Sequence, residues 1–257
     1  MTNFQKIALG IYLAGSTPAA LANMRRPQQR DVPISRHPKT FAPALEVQRE
    51  HLEVVCGQRD CSTKVLYNVA NLQGQPLDLS ITFLAPAQGA IESQCAEGPI
   101  ESSILEKVAS DSNNNYREQS EDYVFGVVPI AAGTFQCILP PGPTNIKVEY
   151  TQLVAFMEEG VSYFSSSWFM RMYEYELAPL KEWNLAGDFH LDFDLIIPDE
   201  PLGFFARIFG LDPEINCMSG DHLLKETSRQ HSGKSLTISY KWGKDFPDRL
   251  KCKYSIR

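Results

Sequence analysis

The stretch Gly187–Asp194 reads GDFHLDFD, with Asp188, His190, Asp192 and Asp194 alternating with Phe189, Leu191 and Phe193. On a β-strand, alternate residues share one face about 7 Å apart. Asp188, His190 and Asp192 are therefore candidate ligands for one cation. An imidazole with carboxylates suits zinc, manganese or calcium, depending on how many oxygens join. Asp221 and His222 in SGDHLLKE are the best distant partners for such a centre. The same alternation describes an ordinary half-buried strand, whose charges face water and discourage edge-to-edge aggregation. The solvent-face reading is preferred, with Phe189, Leu191 and Phe193 turned to the core.

Catalytic motifs are missing. The chain has no Gly-x-Ser-x-Gly elbow, no His-Glu-x-x-His, no phosphate-cradling glycine loop and no dinucleotide fingerprint. Glu158 with Glu159, or Glu174 with Glu176, have the residue types for glycoside hydrolysis, which takes two facing carboxylates. Such pairs occur in any globular protein. No cofactor is expected, and the reading leans away from an enzyme. The aromatic segment YFSSSWFMRMYEYEL reads as core. LGFFARIFGL places Phe204, Phe205, Arg207 and Phe209 in a loop context. If exposed, that patch would bind a partner, with Arg207 suited to a carboxylate.

Period-2 alternation dominates from Leu45 onward. LEVQREHLEVVC, STKVLYNVA, LDLSITF, NIKVEYTQLVAF, SLTISYKW and LKCKYSI read as strands, punctuated by turns such as LPPGPT. Helix signals are sparse. SSILEKVAS offers a capping box from Ser103 to Glu106, and PLGFFARIFGLDP one or two turns between Pro201 and Pro213. Many short strands and one or two short helices predict an all-β fold of two β-sandwich, Ig-like domains. The expected limits are 43–155 for the first domain and 156–257 for the second.

The N-terminus has Lys6, an apolar run from Ile7 to Ala14, and Ala20-Leu21-Ala22, the three-part layout of a cleaved signal peptide over residues 1–22. The apolar run is too short for a bilayer, which takes about 20 apolar residues. No later segment is long enough either, so no transmembrane span is expected in the mature chain. Residues 23–42 are basic and proline-punctuated, read as a flexible leader. All six cysteines, Cys56, Cys61, Cys95, Cys137, Cys217 and Cys252, follow the leader. An even count in an exported chain predicts disulfides. Six cysteines allow 15 connectivities, and sequential pairing is the simplest. A net charge of −7 argues against nucleic acid as a partner.

Three stretches resemble a family of exported bacterial β-rich proteins of unknown function, over about residues 45–200. The first carries Val65, Tyr67 and Asn71, then Phe83 and Pro86. The second is the Pro-Gly turn before NIKVEY. The third carries Tyr175, Leu177, Trp183, Phe189 and Leu191. The resemblance implies secretion and a β-rich fold, and it implies no activity and no catalytic residues. The Cys56–Cys61 segment and the basic leader depart from the family pattern. Together these observations predict a periplasmic or secreted, non-enzymatic structural or protein-binding envelope protein, with an unidentified envelope or secreted partner. A metal- or small-ligand-binding module is the alternative, and a carbohydrate-active hydrolase a third.

Overall fold

The computed structural model describes residues 23–24, 28–29, 44–103, 106–107, 124–125, 131–159, 168–198 and 215–255. The expected signal peptide, most of the leader and the segment containing Phe204, Phe205, Arg207 and Phe209 lie outside them. The described strands of the first half are β1 (Asn23–Met24), β2 (Gln28–Gln29), β3 (Leu45–Cys56), β4 (Asp60–Asn71), β5 (Leu77–Ala85), β6 (Ile91–Cys95), β7 (Glu101–Ser103), β8 (Glu106–Lys107) and β9 (Val124–Phe125). They are followed by β10 (Ala131–Leu139), β11 (Gly142–Leu153), β12 (Ala155–Glu159), β13 (Trp168–Glu176) and β14 (Leu185–Pro198). The last are β15 (Ile215–Ser219), β16 (His222–Leu223), β17 (Ser228–Ser232), β18 (Ser235–Trp242) and β19 (Arg249–Ser255). The fold is all-β, with several sheets.

An eight-stranded sheet in the order β17-β18-β14-β3-β4-β11-β6-β7 is the central platform. Its pairs are antiparallel except β14 with β3, which run parallel. One face is apolar: Leu52, Val54, Val65, Tyr67, Ile146, Val148, Leu191, Phe193, Leu195 and Ile238 are all buried. Two smaller sheets cover this face. β5 and β10 centre a five-stranded sheet, joined to the platform where Phe83 packs on Tyr150 with ring centroids 5.6 Å apart. β13 and β19 centre a six-stranded sheet, which meets the platform where Tyr175 reaches Tyr67 and Glu50. Buried apolar residues from all three sheets form one contiguous cluster. The platform takes strands from both sides of residue 155, with β14 seated between β3 and β18.

The strand expectations hold closely because their alternation is driven by one buried face. Phe189, Leu191 and Phe193 are buried, as the GDFHLDFD pattern requires. Asn71 ends β4 and organises the turn that follows. Its Oδ1 accepts from the Gln73 backbone N–H at 2.9 Å, and its Nδ2 donates to the carbonyls of Gln75 and Leu139. Gly142 opens β11 at φ +87°, a left-handed conformation that glycine adopts without Cβ strain.

The Ser103–Glu106 helix is corrected. β7 ends at Ser103 and pairs with β6, while β8 begins at Glu106 and pairs with β10. The Ser103 hydroxyl, expected to cap a helix, donates instead to the Thr134 carbonyl at 3.0 Å. Cross-strand pairing outweighs the local capping signal. The second expected helix, between Pro201 and Pro213, lies outside the described residues. Among those residues the helical element is a 3-10 turn, Ala178–Glu182, started by Pro179 and followed by Trp183, whose ring stacks on Tyr67.

Three disulfides join Cys56 to Cys61, Cys95 to Cys137 and Cys217 to Cys252. They follow the simplest sequential pairing. Cys56–Cys61 closes the β3–β4 hairpin, Cys217–Cys252 ties β15 to β19, and Cys95–Cys137 links the platform to the five-stranded sheet. Such bonds persist in oxidising compartments, consistent with an extracellular or periplasmic protein. No helix among the described residues is long and apolar enough to cross a membrane.

Candidate functional site

The chain breaks its own alternation at one place. In β3, Leu45 and Val47 face the core, then Glu50, Leu52, Val54 and Cys56 do. The phase flips between Val47 and Glu50. Between the pairs Val47–Val69 and Arg49–Asn68, β3 advances two residues while β4 advances one, which makes a β-bulge at Gln48. On the other side, β14 advances five residues from Leu185 to His190 while β3 advances two. Both ladders therefore lose register at the same point, on either side of Gln48.

On the outer face this double irregularity opens a groove of about 530 Å³, lined by Gln48, Arg49, Asn68, Pro143, Thr144, Asn145, Asp188 and His190. Register places His190, Arg49, Asn68 and Asn145 in one row across β14, β3, β4 and β11. Asn68 Nδ2 donates to Asn145 Oδ1, which holds two of the four in place. Arg49 is anchored by Nε and Nη2, which meet Asp192 Oδ2 at 2.7 and 2.6 Å. The side chains of Gln48, Thr144, Asp188 and His190 make no hydrogen bond or ion pair among the described residues.

The three residues singled out as metal ligands are thus divided. Asp188 and His190 line the groove. Asp192 is 12% exposed and takes two cations, Arg49 and, at 3.4 Å, Lys241. Asp194 meets His51 Nε2 at 3.0 Å, and this contact holds its carboxyl below the usual aspartate range. Asp221 and His222 belong to the β15–β16 turn of the six-stranded sheet. Among the described residues no group of three or more His, Cys, Asp or Glu is placed to hold a metal ion. Of the carboxylates considered for hydrolysis, Glu174 lies 3.7 Å from Lys251 Nζ and Glu176 3.1 Å from Arg249 Nε.

Behind the bulge lies a buried polar cluster. Glu50 is fully buried between the platform and β13. Tyr175 donates to its Oε1 at 3.1 Å, and with that proton committed, Tyr67 is the donor of the 3.3 Å bond to the Tyr175 hydroxyl. Thr63 and Tyr173 share a 3.3 Å bond alongside. Glu50 Oε2 has no hydrogen-bond partner among the described residues. Burial pushes the Glu50 carboxyl up to about 8, and the Tyr175 bond only partly opposes this. Burial likewise raises the phenols of Tyr150, Tyr173 and Tyr175.

Sequence reasoning missed Gln48, Arg49 and Glu50. A signal existed: apolar residues occupy odd positions at Leu45 and Val47, then even positions at Leu52 and Val54. A change of phase inside one strand marks a bulge, and bulges gather beside functional sites.

No protein-family model matches the chain, and no curated protein resembles it by sequence. Among solved structures it is similar to a "putative nutrient binding protein" from Legionella pneumophila. The identity is 12% and the TM-score 0.51, over 91% of this chain and 71% of that one. An M1 zinc metallopeptidase from Deinococcus radiodurans matches at 10% identity and a TM-score of 0.36, over 83% of this chain and 43% of that one. The Legionella likeness is one of fold alone, at an identity too low to transfer a ligand or a residue's role.

Proposed function

We propose that this chain is an exported, non-enzymatic binding protein whose groove around Gln48 takes a small polar ligand. The observation that carries this reading is the coincidence of two register breaks with four uncommitted polar side chains, Gln48, Thr144, Asp188 and His190. Exposed strand faces usually satisfy their polar groups with neighbours or water, and an open concavity lined by free donors and acceptors is the surface feature that recognition needs. The three disulfides suit the exported setting. The described kinship of fold with the Legionella protein supports a binding role without naming its ligand.

The groove also bears on chemistry. Its lining contains one carboxylate, Asp188. Hydrolysis of a glycosidic bond would need a second carboxyl across the bond. The test is amide NMR of the full 15N-labelled chain, titrated with fractionated growth medium at millimolar solute. At least one fraction should shift the groove signals of the wild type and leave those of His190→Trp, which fills the groove, unmoved. Equal shifts in both proteins, or shifts in neither, would refute the groove as the site.

A further inference from the structure

We propose that the groove binds a neutral oligosaccharide laid across β14, β3, β4 and β11, with its hydroxyls bonded to Gln48, Asn68, Asn145, Asp188 and His190. The proposal rests on the groove being the ligand site and adds the class of ligand. Three properties select that class. Pro143 is the one apolar side chain in the lining, so a lipid or an aromatic ligand would gain little by entering. The formal charges are also balanced. Arg49 and its neighbour Lys241 bring two positive charges, and Asp192, which both contact, and Asp188 bring two negative ones. A ligand carboxylate would have to compete with Asp192 for the guanidinium while approaching Asp188, and an ammonium would approach Arg49. A neutral ligand meets neither penalty.

The remaining groups both donate and accept. Asn68 Nδ2 is spent on Asn145 Oδ1, which leaves Asn68 Oδ1 as an acceptor and Asn145 Nδ2 as a donor. Gln48 offers both amide functions, Asp188 accepts, and the N–H groups of Arg49 not facing Asp192 donate. A mixed, closely spaced set of this kind matches vicinal hydroxyls, each of which donates one bond and accepts two.

The row from His190 to Asn145 crosses three inter-strand steps, about 14 Å in all at roughly 4.8 Å each. That span exceeds a single sugar ring and suits a short chain. The lining contains no Phe, Tyr or Trp ring to stack on a sugar face, so recognition depends on hydrogen bonds of modest net worth. The expected dissociation constant is on the order of 1 mM.

The test uses the full-length chain labelled with 15N. It is titrated separately with maltotriose, cellotriose, chitotriose, the zwitterion Gly-Gly and the anion citrate. At least one trisaccharide should shift the amide signals of Gln48, Arg49, Asn68, Asn145, Asp188 and His190. Gln48→Ala and His190→Ala should each weaken that binding about fivefold. Arg229→Ala, on the distant edge strand β17, should leave it unchanged. Shifts at these residues with Gly-Gly or citrate, and with no trisaccharide, would overturn the carbohydrate assignment and leave the groove as a ligand site. Trisaccharide shifts confined to other residues would overturn the assignment too. A groove silent to all five probes would overturn both readings.

Discussion

Replacing Glu50 by Gln should make the protein more stable at alkaline pH and change its pH dependence. The carboxyl is fully buried, and its folded-state value of about 8 stands far above the ordinary 4.5. Below 4.5 the group is protonated whether the chain is folded or not, and it imposes no penalty. Between 4.5 and about 8 the unfolded chain releases a proton that the folded chain keeps, so stability falls as pH rises. Each pH unit costs about 1.4 kcal/mol, which gives roughly 5 kcal/mol across the whole interval. Between pH 5 and pH 8, allowing for partial titration at each end, the loss is about 3–4 kcal/mol. Gln has the shape of the protonated acid and still accepts from Tyr175, so the variant should match the wild type near pH 5. It should exceed the wild type by about 3 kcal/mol near pH 8. Urea unfolding of both proteins at four pH values measures this, with disulfides kept oxidised. Parallel stability profiles for the two proteins would refute a protonated Glu50 in the folded state.

The disulfides should differ in worth. Cys95→Ala/Cys137→Ala opens a separation of 42 residues and should cost about 4 kcal/mol, while Cys56→Ala/Cys61→Ala opens one of 5 and should cost about 2 kcal/mol, read as urea midpoints. Asp192→Asn removes the shared partner of Arg49 and Lys241 and should cost about 1 kcal/mol, a loss that shrinks as salt is raised. Arg249→Ala leaves Glu176 facing burial without its cation and should cost about 2 kcal/mol at neutral pH. That cost should fade on acidification: burial already holds the Glu176 carboxyl above its ordinary range, and it accepts a proton once the arginine is gone. Thermal unfolding at two pH values reads this out.

The strands were legible because one apolar face dictates them. LDLSITF, SLTISYKW and GDFHLDFD each alternate without interruption, and each lies in a strand with its apolar half buried. The layering was less legible. Alternation says which residues turn inward and says nothing about which sheet they meet, so a late strand such as β14 could not be placed beside β3. Ser103 misled because a capping box is a local pattern, and the hydroxyl found a carbonyl on a strand 31 residues away. Asp188 and His190 were noticed for their charge and belong to the groove, although their neighbours Gln48 and Asn145 come from other strands. Sequence spacing along one strand cannot reveal a site assembled across four. Glu50 escaped notice because a glutamate in a charged-looking strand reads as solvent-facing until the bulge is recognised.

The parallel pairing of β14 with β3 has a consequence for how the chain acquires its structure. Arg49 and Asp192 are separated by 143 positions, yet they belong to adjacent strands. Contacts of such separation form late, because loop closure is costly until both partners exist. As the chain emerges from its N-terminus, β3 and β4 can close their hairpin early, but the other edge of β3 stays unpaired until β14 arrives. A bare edge carrying Val54 and Leu52 on one face is a template for pairing with another copy. Efficient folding therefore depends on shielding that edge during the wait, by a chaperone or by low chain concentration. Refolding from urea should lose yield as protein concentration rises, and a synthetic peptide of residues 185–198 added in excess should restore part of it.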